Sequence, residues 1–375
     1  MRLLILSFAF FIANFLFAQD SRNNHVAVAS NDDGGELIVN QNSEPHLKNM
    51  KQLTFGGDNA EAYFSFDGKK LSFQSNNPLW NLKCDQIYYM VIDEAEDNKI
   101  YQPMPVSNGE GRTTCAFYMP SEKKNSSTST KILYASTFKS GKECPPDAPK
   151  NTGKYLWSIY PSYDIFIGDE KGKVLKQLTN SPGYDAEATI SPKGDKIVFT
   201  STRNGDLDLY IMDIDGKNVK QLTHTLGYDG GAFFSPDGTK LVFRASRPEG
   251  KDTVEYKELL SQGLVAPTNM EIYTMNIDGS DIKQVTHLGK ANWAPFYHPS
   301  GKKIIFSSNH HSAKGYDFQL WMINEDGTGL TQITTESNFN AFAMFSPDGK
   351  RLVFSSNRNN GGTHDTNVFI ADWEE

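Results

Sequence analysis

The chain has 375 residues, which is enough for one large domain or two ordinary ones. Its formal net charge of −8 and its scattered lysines and arginines argue against nucleic acid as a partner, because phosphate binding requires a concentrated basic surface. The 24 Phe, 16 Tyr, 30 Gly and 17 Pro favour many short strands joined by turns over a helical protein.

The N-terminal segment has the layout of a secretory signal peptide. An apolar run from Leu3 to Phe17 follows a short charged start and ends at the small residue Ala18. A membrane anchor is the alternative, but an anchor needs about 20 apolar residues and this run is shorter. We therefore expect residues 1–18 to be removed, the mature protein to be periplasmic or secreted, and residues 19–46 to form a polar linker without a membrane span.

Three cysteines lie in a chain that we expect to reach an oxidising compartment, namely Cys84, Cys115 and Cys144. One disulfide and one free thiol is therefore the expectation. The sequence does not choose the pair. The alternative is that all three cysteines pack as small apolar residues.

A turn followed by an apolar strand recurs along the chain with a period typical of propeller blades. Ser235-Pro236-Asp237-Gly238, followed by a strand ending in Phe243, is a representative copy. A degraded copy begins at Met119, is interrupted by residues 121–130 and resumes at Lys131. The five clear copies begin at Ser65, Ser191, Ser235, His298 and Ser346.

The chemistry of this turn predicts a hairpin. Proline presets φ at the first central position, a small polar residue follows, and glycine adopts the left-handed conformation. The strand after the turn is apolar on both faces, as a strand that lies between two other sheets must be. A second hairpin in each repeat, such as the one at Asp278-Gly279, brings the count to four strands, which is one propeller blade.

The two ends of the chain predict how the ring closes. The last repeat stops after its third strand at Trp373, whereas Lys51-Gln52-Leu53-Thr54 supplies an outer strand ahead of the first full repeat. Because an open array would leave sheet edges exposed, this strand should pair with the C-terminal strands. The sequence thus predicts an all-β, six-bladed β-propeller over residues 47–375, in which an N-terminal strand closes the last blade.

These repeats resemble the PD40 (WD40-like) repeats of the TolB-like β-propeller family, from about Leu47 to Trp373. The resemblance implies the fold and says less about activity, because one fold hosts many functions. Functional residues concentrate on loops held by a rigid scaffold. Most long insertions fall on one face of the predicted ring, so we place the binding site there, at the mouth of the central channel. Among these insertions, residues 253–264 have helical spacing, and residues 139–151 read as an extended loop tethered through Cys144.

The connections that enter each innermost strand carry aromatic and acidic residues, and a Gly-Tyr-Asp sequence occurs in two of them. One interpretation is a ring that stacks on and hydrogen-bonds a peptide terminus or a sugar. The other is that the tyrosines pack in the core and the aspartates cap the next strand. The candidate binding residues are Arg112, Tyr184, Asp185, Glu187, Tyr228, Asp229, Asn292, Trp293, Phe339 and Asn340.

No catalytic motif is recognisable in the sequence, since it lacks G-x-S-x-G, H-E-x-x-H and a phosphate-binding glycine loop. We therefore predict a monomeric, non-enzymatic protein without a cofactor that binds a protein, peptide or glycan. The alternative is a saccharide lyase or hydrolase with a metal held at the mouth by His310, His311 and His364. Adjacent histidines in a polar loop are also explained by simple solvation.

Overall fold

The computed structural model describes residues 43–93, 99–100, 103–121, 130–150 and 152–375. The predicted signal peptide (1–18), most of the predicted linker (19–46) and residues 122–129 of the interrupted turn lie outside these residues. In the part of the chain that is described, no helix is long and apolar enough to cross a membrane.

The described residues form six antiparallel sheets arranged as the blades of a propeller, with strands a to d numbered outward from the channel. The innermost strands of neighbouring blades contact each other all the way around the ring. Blade 1 contains Asp58–Phe64, Lys70–Asn76, Gln86–Asp93 and two short outer strands, Lys99–Ile100 and Met104–Pro105. Blade 2 contains Thr113–Tyr118, Lys131–Ser136, Asp164–Asp169 and Val174–Gln177. Blade 3 contains Asp185–Ile190, Lys196–Ser201, Asp208–Asp213 and Lys220–Gln221.

The remaining three blades follow the same plan. Blade 4 contains Asp229–Phe234, Lys240–Ser246, Met270–Asn276 and Lys283–Gln284. Blade 5 contains Asn292–Tyr297, Lys303–Ser308, Gln319–Asn324 and Thr331–Gln332. Blade 6 contains Asn340–Phe345, Arg351–Ser356 and Asn367–Trp373, with Leu47–Gln52 as its fourth strand.

The predicted closure of the ring is confirmed. Leu47 pairs with Trp373 and Gln52 pairs with Phe369, so the first described strand completes the last blade. The Leu53 amide extends this pairing by donating to the Val368 carbonyl at 2.8 Å. Strands from the two ends of the chain therefore pair within one blade, which closes the ring.

Strand b of each blade is buried on both faces, as its apolar sequence predicts. The same position carries an aromatic side chain in every blade, and each of these rings is between 0% and 2% exposed. Burial of one such side chain contributes about 1.5–3 kcal/mol, so neighbouring blades adhere through this layer. These residues are Phe73, Tyr134, Phe199, Phe243, Phe306 and Phe354.

Three further elements build the loop-rich face. A 3₁₀ helix spans Pro78–Trp80, and an α-helix spans Lys251–Ser261, close to the predicted residues 253–264. A two-stranded antiparallel ribbon pairs Trp157–Ser158 from the blade 2 insertion with Leu264–Val265 from the blade 4 insertion. The ribbon therefore joins two loops that are about a hundred residues apart in sequence.

The disulfide joins Cys84 to Cys144, and Cys115 is the free thiol. This is the arrangement of one disulfide and one thiol that was expected, and it ties the blade 2 insertion to blade 1. Arg112 reinforces the same tether by pairing with Asp85 at 2.6 Å and with Asp147. The insertion that carries one strand of the ribbon is thus anchored at its base.

Candidate functional site

Each innermost strand contains a β-bulge at the same position, where its pairing with strand b shifts register. The bulged residue has a positive φ between 47° and 58° in all six blades. A bulge of this kind changes the direction of one side chain, and here the bulged residue of every blade lines the channel. We call these residues the channel ring: Glu61, Cys115, Glu187, Gly231, Ala294 and Phe342.

The channel ring surrounds a cavity of about 310 Å³ that opens on the loop-rich face. Two residues further along the innermost strands, aromatic side chains meet at the axis and close the other end of the cavity. Tyr63, Phe117, Phe233 and Phe296 contact each other there at ring centroid distances of 5.2 to 6.4 Å. We call this layer the plug. The cavity is therefore a cup and not an open pore.

Aromatic side chains also border the open end. Trp157 of the ribbon lies 5.1 Å from Trp293 and 6.3 Å from Tyr155 between ring centroids. The Trp293 indole donates to the Pro267 carbonyl at 2.8 Å, which fixes it to the blade 4 insertion. We call these three residues the aromatic rim. It gives the entrance flat apolar faces suited to stacking.

One side of the channel ring holds a buried ion pair. Arg244, from strand b of blade 4, donates to Glu187 at 2.6 Å and to the Tyr228 hydroxyl at 2.7 Å. Glu187 also accepts from the Thr200 hydroxyl and from the Gly231 amide, both at 2.8 Å. Burial alone would raise the pKa of Glu187, but the Arg244 guanidinium and these hydrogen bonds hold it below its usual value. Glu187 is therefore a carboxylate at neutral pH.

Gly231 makes room for this ion pair. A Cβ atom at position 231 would lie 1.9 Å from Nη1 of Arg244. The guanidinium also lies 4.8 Å from the Tyr228 ring centroid and 5.3 Å from that of Trp157, so it has little freedom to retreat. The one glycine of the channel ring is thus explained by close approach of a side chain and not by the turn chemistry seen elsewhere.

Glu61 lies across the ring from Gly231 and has a different environment. Burial raises its pKa to about 7, and repulsion from Glu187 and Asp85 acts in the same direction. A hydrogen bond with the Cys115 thiol and attraction to Arg244 oppose the rise. Burial also raises the pKa of Cys115 well above its usual value, so this thiol stays protonated. Glu61 can therefore gain or lose a proton near neutral pH.

The structure brings together some of the predicted binding residues. Tyr184, Glu187, Trp293 and Phe339 line the cavity. Tyr228 is buried behind the wall and acts through its hydrogen bonds with Glu187 and Arg244. These five residues therefore form part of the cavity wall or support it.

Four other predicted binding residues have a structural role instead. Asp185, Asp229, Asn292 and Asn340 are at most 1% exposed and each begins an innermost strand. Each binds a side chain at or just after the end of strand b in the same blade, because the buried polar group needs a partner. The partners are Arg203, Arg247, Ser308 and Arg358. The side chains at these four positions are therefore engaged within their own blades and do not line the cavity.

Arg112 was also misplaced by the prediction. Its guanidinium binds the carboxylates of Asp85 and Asp147 and lies 5.9 Å from the Tyr160 ring centroid. These contacts anchor the blade 2 insertion, and Arg112 does not line the cavity.

The predicted metal ligands do not form a metal site. His310 and His311 pack against Trp321, with ring centroids 4.4 and 5.6 Å from it. His310 also hydrogen-bonds the Ser308 hydroxyl through Nδ1 at 2.9 Å. Within the described residues, no group of three or more His, Cys, Asp and Glu side chains is placed to hold a metal, and His364 does not join the other two histidines.

Several cavity residues were not predicted, among them Glu61, Cys115, Arg244, Trp157 and Phe342. Three of them belong to the channel ring and could have been found by aligning the six innermost strands. In that alignment the second residue after the strand's buried polar start varies most, from glutamate to glycine to phenylalanine. Arg244 and Trp157 give no such signal, because one follows an apolar run and the other lies in an irregular insertion.

Comparison with known proteins identifies the fold. Residues 164–267 match the family model described as the TolB beta propeller domain, PD40. A putative TolB from Agrobacterium tumefaciens superposes with a TM-score of 0.52 at 19% identity, covering 85% of this chain and 91% of that one. TolB from Acinetobacter baumannii gives 0.53 at 18% identity, covering 84% of this chain and 66% of that one.

An oligogalacturonate lyase in complex with manganese is also similar, with a TM-score of 0.50 at 13% identity over 91% of this chain and 96% of that one. No curated protein matches the chain in sequence. Identities this low show a shared fold and leave the activity open.

Proposed function

Because the chain is a TolB-like (PD40) β-propeller protein, we propose that it is an exported, non-enzymatic binding protein whose channel cavity receives part of a protein, peptide or glycan. The observation that carries this proposal is the cavity itself, which is lined by the channel ring of all six blades and closed by the plug. Export is supported by the signal-like N-terminus and by the Cys84–Cys144 disulfide, since disulfides persist in oxidising compartments.

The dimensions of the cavity indicate what can enter it. A volume of about 310 Å³ is at the lower end for ligand pockets, so it suits a small group or the end of a polymer. The aromatic rim offers stacking surfaces, and the hydrogen-bonding side chains of Gln74 and Thr114 also line the wall. This combination of flat apolar faces and a few polar groups is typical of binding sites that recognise one end of a ligand.

The proposal is tested by filling the cavity. Ala294→Trp adds an indole at a channel-ring position. The equivalent position in blade 6 already carries an aromatic side chain, Phe342, on a similar backbone conformation. Ala313→Trp makes the same change at an exposed position in a loop on the same face and serves as the control. Tagged wild type and both variants are used to capture partners from an envelope fraction, with identification by mass spectrometry.

We expect Ala294→Trp to lose the partners that wild type and Ala313→Trp retain, with unchanged thermal unfolding as evidence of folding. Equal recovery by all three proteins would show that ligands do not use the cavity.

A second candidate function is an enzyme that acts on a saccharide. The specific observation in its favour is that two carboxyl groups in one cavity have pKa values displaced in opposite directions. The pKa of Glu61 rises to about 7, while that of Glu187 falls. Such divergence is typical of an acid or base paired with a permanent anion. Turnover of oligogalacturonides, followed by ultraviolet absorbance of unsaturated products and lost in Glu61→Gln, would favour this function over simple binding.

A further inference from the structure

We propose that the group held in the channel cavity is a positively charged ammonium, the free amino terminus of a peptide, bound by the Glu61 carboxylate and the aromatic side chains around it. This inference rests on the proposed binding function and adds the charge and chemical class of the ligand. Three features of the cavity carry it: its charge balance, the surroundings of Glu61 and the aromatic lining.

The charge balance leaves one carboxylate without a counter-charge. Among the residues that line the cavity, the charged side chains are Glu61, Glu187 and Arg244. Arg244 is bound to Glu187 at 2.6 Å and so neutralises it. A buried carboxylate that lacks a counter-charge is costly, and a cation brought by a ligand would relieve that cost. The cavity therefore complements a single positive charge.

The groups that face Glu61 come from every neighbouring element. The Tyr63 hydroxyl, from the same strand, lies 3.5 Å from its carboxylate. The Cys115 thiol lies on blade 2, Glu187 and Arg244 face it from blades 3 and 4, and Asp85 acts from the loop of blade 1.

Of these groups only Arg244 is positive, and it is already engaged by Glu187 and Tyr228. An ammonium would therefore be the first close cation that Glu61 meets.

The aromatic lining is the second element of an ammonium site. Phe342 adjoins Glu61 in the channel ring, Tyr63 lies in the plug beneath it, and Trp293 and Tyr155 border the entrance. A cation is attracted to the face of an aromatic ring by its quadrupole, most strongly in a site sheltered from water. Gln74 and Thr114, which are joined by a 2.6 Å hydrogen bond, lie where they can bind the first peptide unit.

An anionic ligand fits the same observations less well. An anion would have to share Arg244 with Glu187, whose two oxygens already accept four hydrogen bonds. It would also enter a cavity in which Glu61 becomes charged near neutral pH. The geometry thus favours a cation, and anion binding becomes an outcome that the experiment can detect.

The test uses a matched pair of probes in isothermal titration calorimetry. Trialanine amide has a free amino terminus and no carboxylate, whereas N-acetyl-trialanine amide lacks only the positive charge. The proteins are wild type, Glu61→Gln and the control Glu258→Gln, which removes a carboxylate from the exposed face of the helix. At pH 8 we expect wild type and Glu258→Gln to bind the free amine about tenfold or more tightly than the acetylated probe. Glu61→Gln should lose this discrimination.

The pH dependence provides a second readout. With a pKa of about 7, the Glu61 carboxylate falls from about 90% ionised at pH 8 to about 10% at pH 6, whereas the probe's amino group, with a pKa of about 8, goes from about half to almost fully protonated. Affinity for the amine should therefore fall about fivefold in wild type and in Glu258→Gln, and it should not fall in Glu61→Gln. Because the bound ammonium favours the ionised form, binding near pH 7 should release a proton, which shows as a dependence of the binding enthalpy on the buffer.

Equal affinity for both probes overturns the inference, and so does discrimination between them that survives in Glu61→Gln. A further pair of probes, acetate and methylammonium, compares an anion with a cation, and tighter binding of acetate would also overturn it. If neither probe binds while Ala294→Trp still abolishes partner capture, the ammonium inference is wrong and the proposed binding function stands. If Ala294→Trp captures the same partners as wild type, the proposed function fails, whereas amine discrimination lost in Glu61→Gln would still support the ammonium site.

Discussion

The plug and the channel ring are formed by the same six innermost strands, but their side chains differ in kind. The plug is formed two residues beyond the channel ring, and five of its six positions carry aromatic or methionine side chains that pack at the axis: Tyr63, Phe117, Phe233, Phe296 and Met344. The channel ring presents two carboxyls, a thiol, a glycine, an alanine and a phenylalanine from equivalent bulges. Packing at the axis therefore explains the residue types of the plug, whereas the residue types of the channel ring are explained by the individual contacts that each makes in the cavity.

The channel ring is itself one-sided. Blades 1 to 4 supply the two glutamates, the cysteine and the glycine that admits Arg244, whereas blades 5 and 6 supply Ala294 and Phe342. Six blades of the same plan thus surround a cavity whose wall is polar on the side of blades 1 to 4, called the polar half below, and apolar on the side of blades 5 and 6. If the polar half depends on its charged groups, removing a charge there should cost the most stability, and displacing a charged side chain without removing it should cost less.

The largest effect is expected when Arg244 is removed. Arg244→Met leaves Glu187 buried without its counter-charge, and breaking a buried pair in this way costs about 3–5 kcal/mol. Urea unfolding at pH 7 measures the loss. The double variant Glu187→Gln with Arg244→Met removes both charges and should recover much of the stability. Additive losses in the double variant would contradict a coupled pair.

A smaller loss is expected from Gly231→Ala, which leaves the charges in place. The new Cβ would lie 1.9 Å from Nη1 of Arg244 and would force the guanidinium from Glu187, while a positive φ of 58° adds strain. Together these should cost about 2–3 kcal/mol in thermal or urea unfolding.

Gly361→Ala is the matched control for this substitution. Its φ is 64° and nothing lies within 4 Å of the added Cβ, so only the strain of about 1 kcal/mol should appear. If both glycine variants lose the same stability, close approach of Arg244 does not explain the glycine in the channel ring.

The same comparison explains which parts of the structure could be predicted from sequence. The blades follow from local signals, since Pro-Asp-Gly and Asp-Gly turns fix hairpins within a few residues, and the closure follows from one surplus strand and one missing strand. The plug has a local signal in four blades, where an aromatic pair precedes the turn, whereas blade 3 has Thr189-Ile190 and blade 6 has Met344-Phe345. These features depend on short stretches of chain, and the hairpins repeat from blade to blade.

The site depends on features that do not repeat. A bulge inserts one residue into the strand and turns the next side chain toward the axis, so simple alternation assigns Glu61 and Cys115 to the wrong face. Trp157 reaches the rim through a ribbon whose two strands are far apart in sequence.

The two interpretations of the Gly-Tyr-Asp sequence concern neighbouring residues that lie in different surroundings. Tyr184 faces the cavity, whereas Asp185 and Asp229 cap strands through Arg203 and Arg247.

The smallest effect is expected at Glu61, and it should depend on pH. Its pKa is about 7 in the folded protein and near 4.5 when unfolded, so the native state binds the extra proton between these values. Stability that is present below pH 4.5 is therefore lost as the pH rises through 7, by about 2 kcal/mol when the full shift is reduced for a group that lines an open cavity. Glu61→Gln lacks this loss and should exceed wild type by that amount at pH 8 while matching it near pH 4.5.

Only the difference between these two proteins isolates Glu61, because burial also raises the pKa of Asp229 to about 7 and that of Asp208 to about 6. Urea unfolding from pH 5 to 8 should therefore give two curves that separate steadily as the pH rises. Parallel curves would show that the folded protein does not destabilise the ionised form of Glu61. A ligand cation would then have no uncompensated carboxylate to neutralise, and the polar half of the channel ring would lose its distinguishing property.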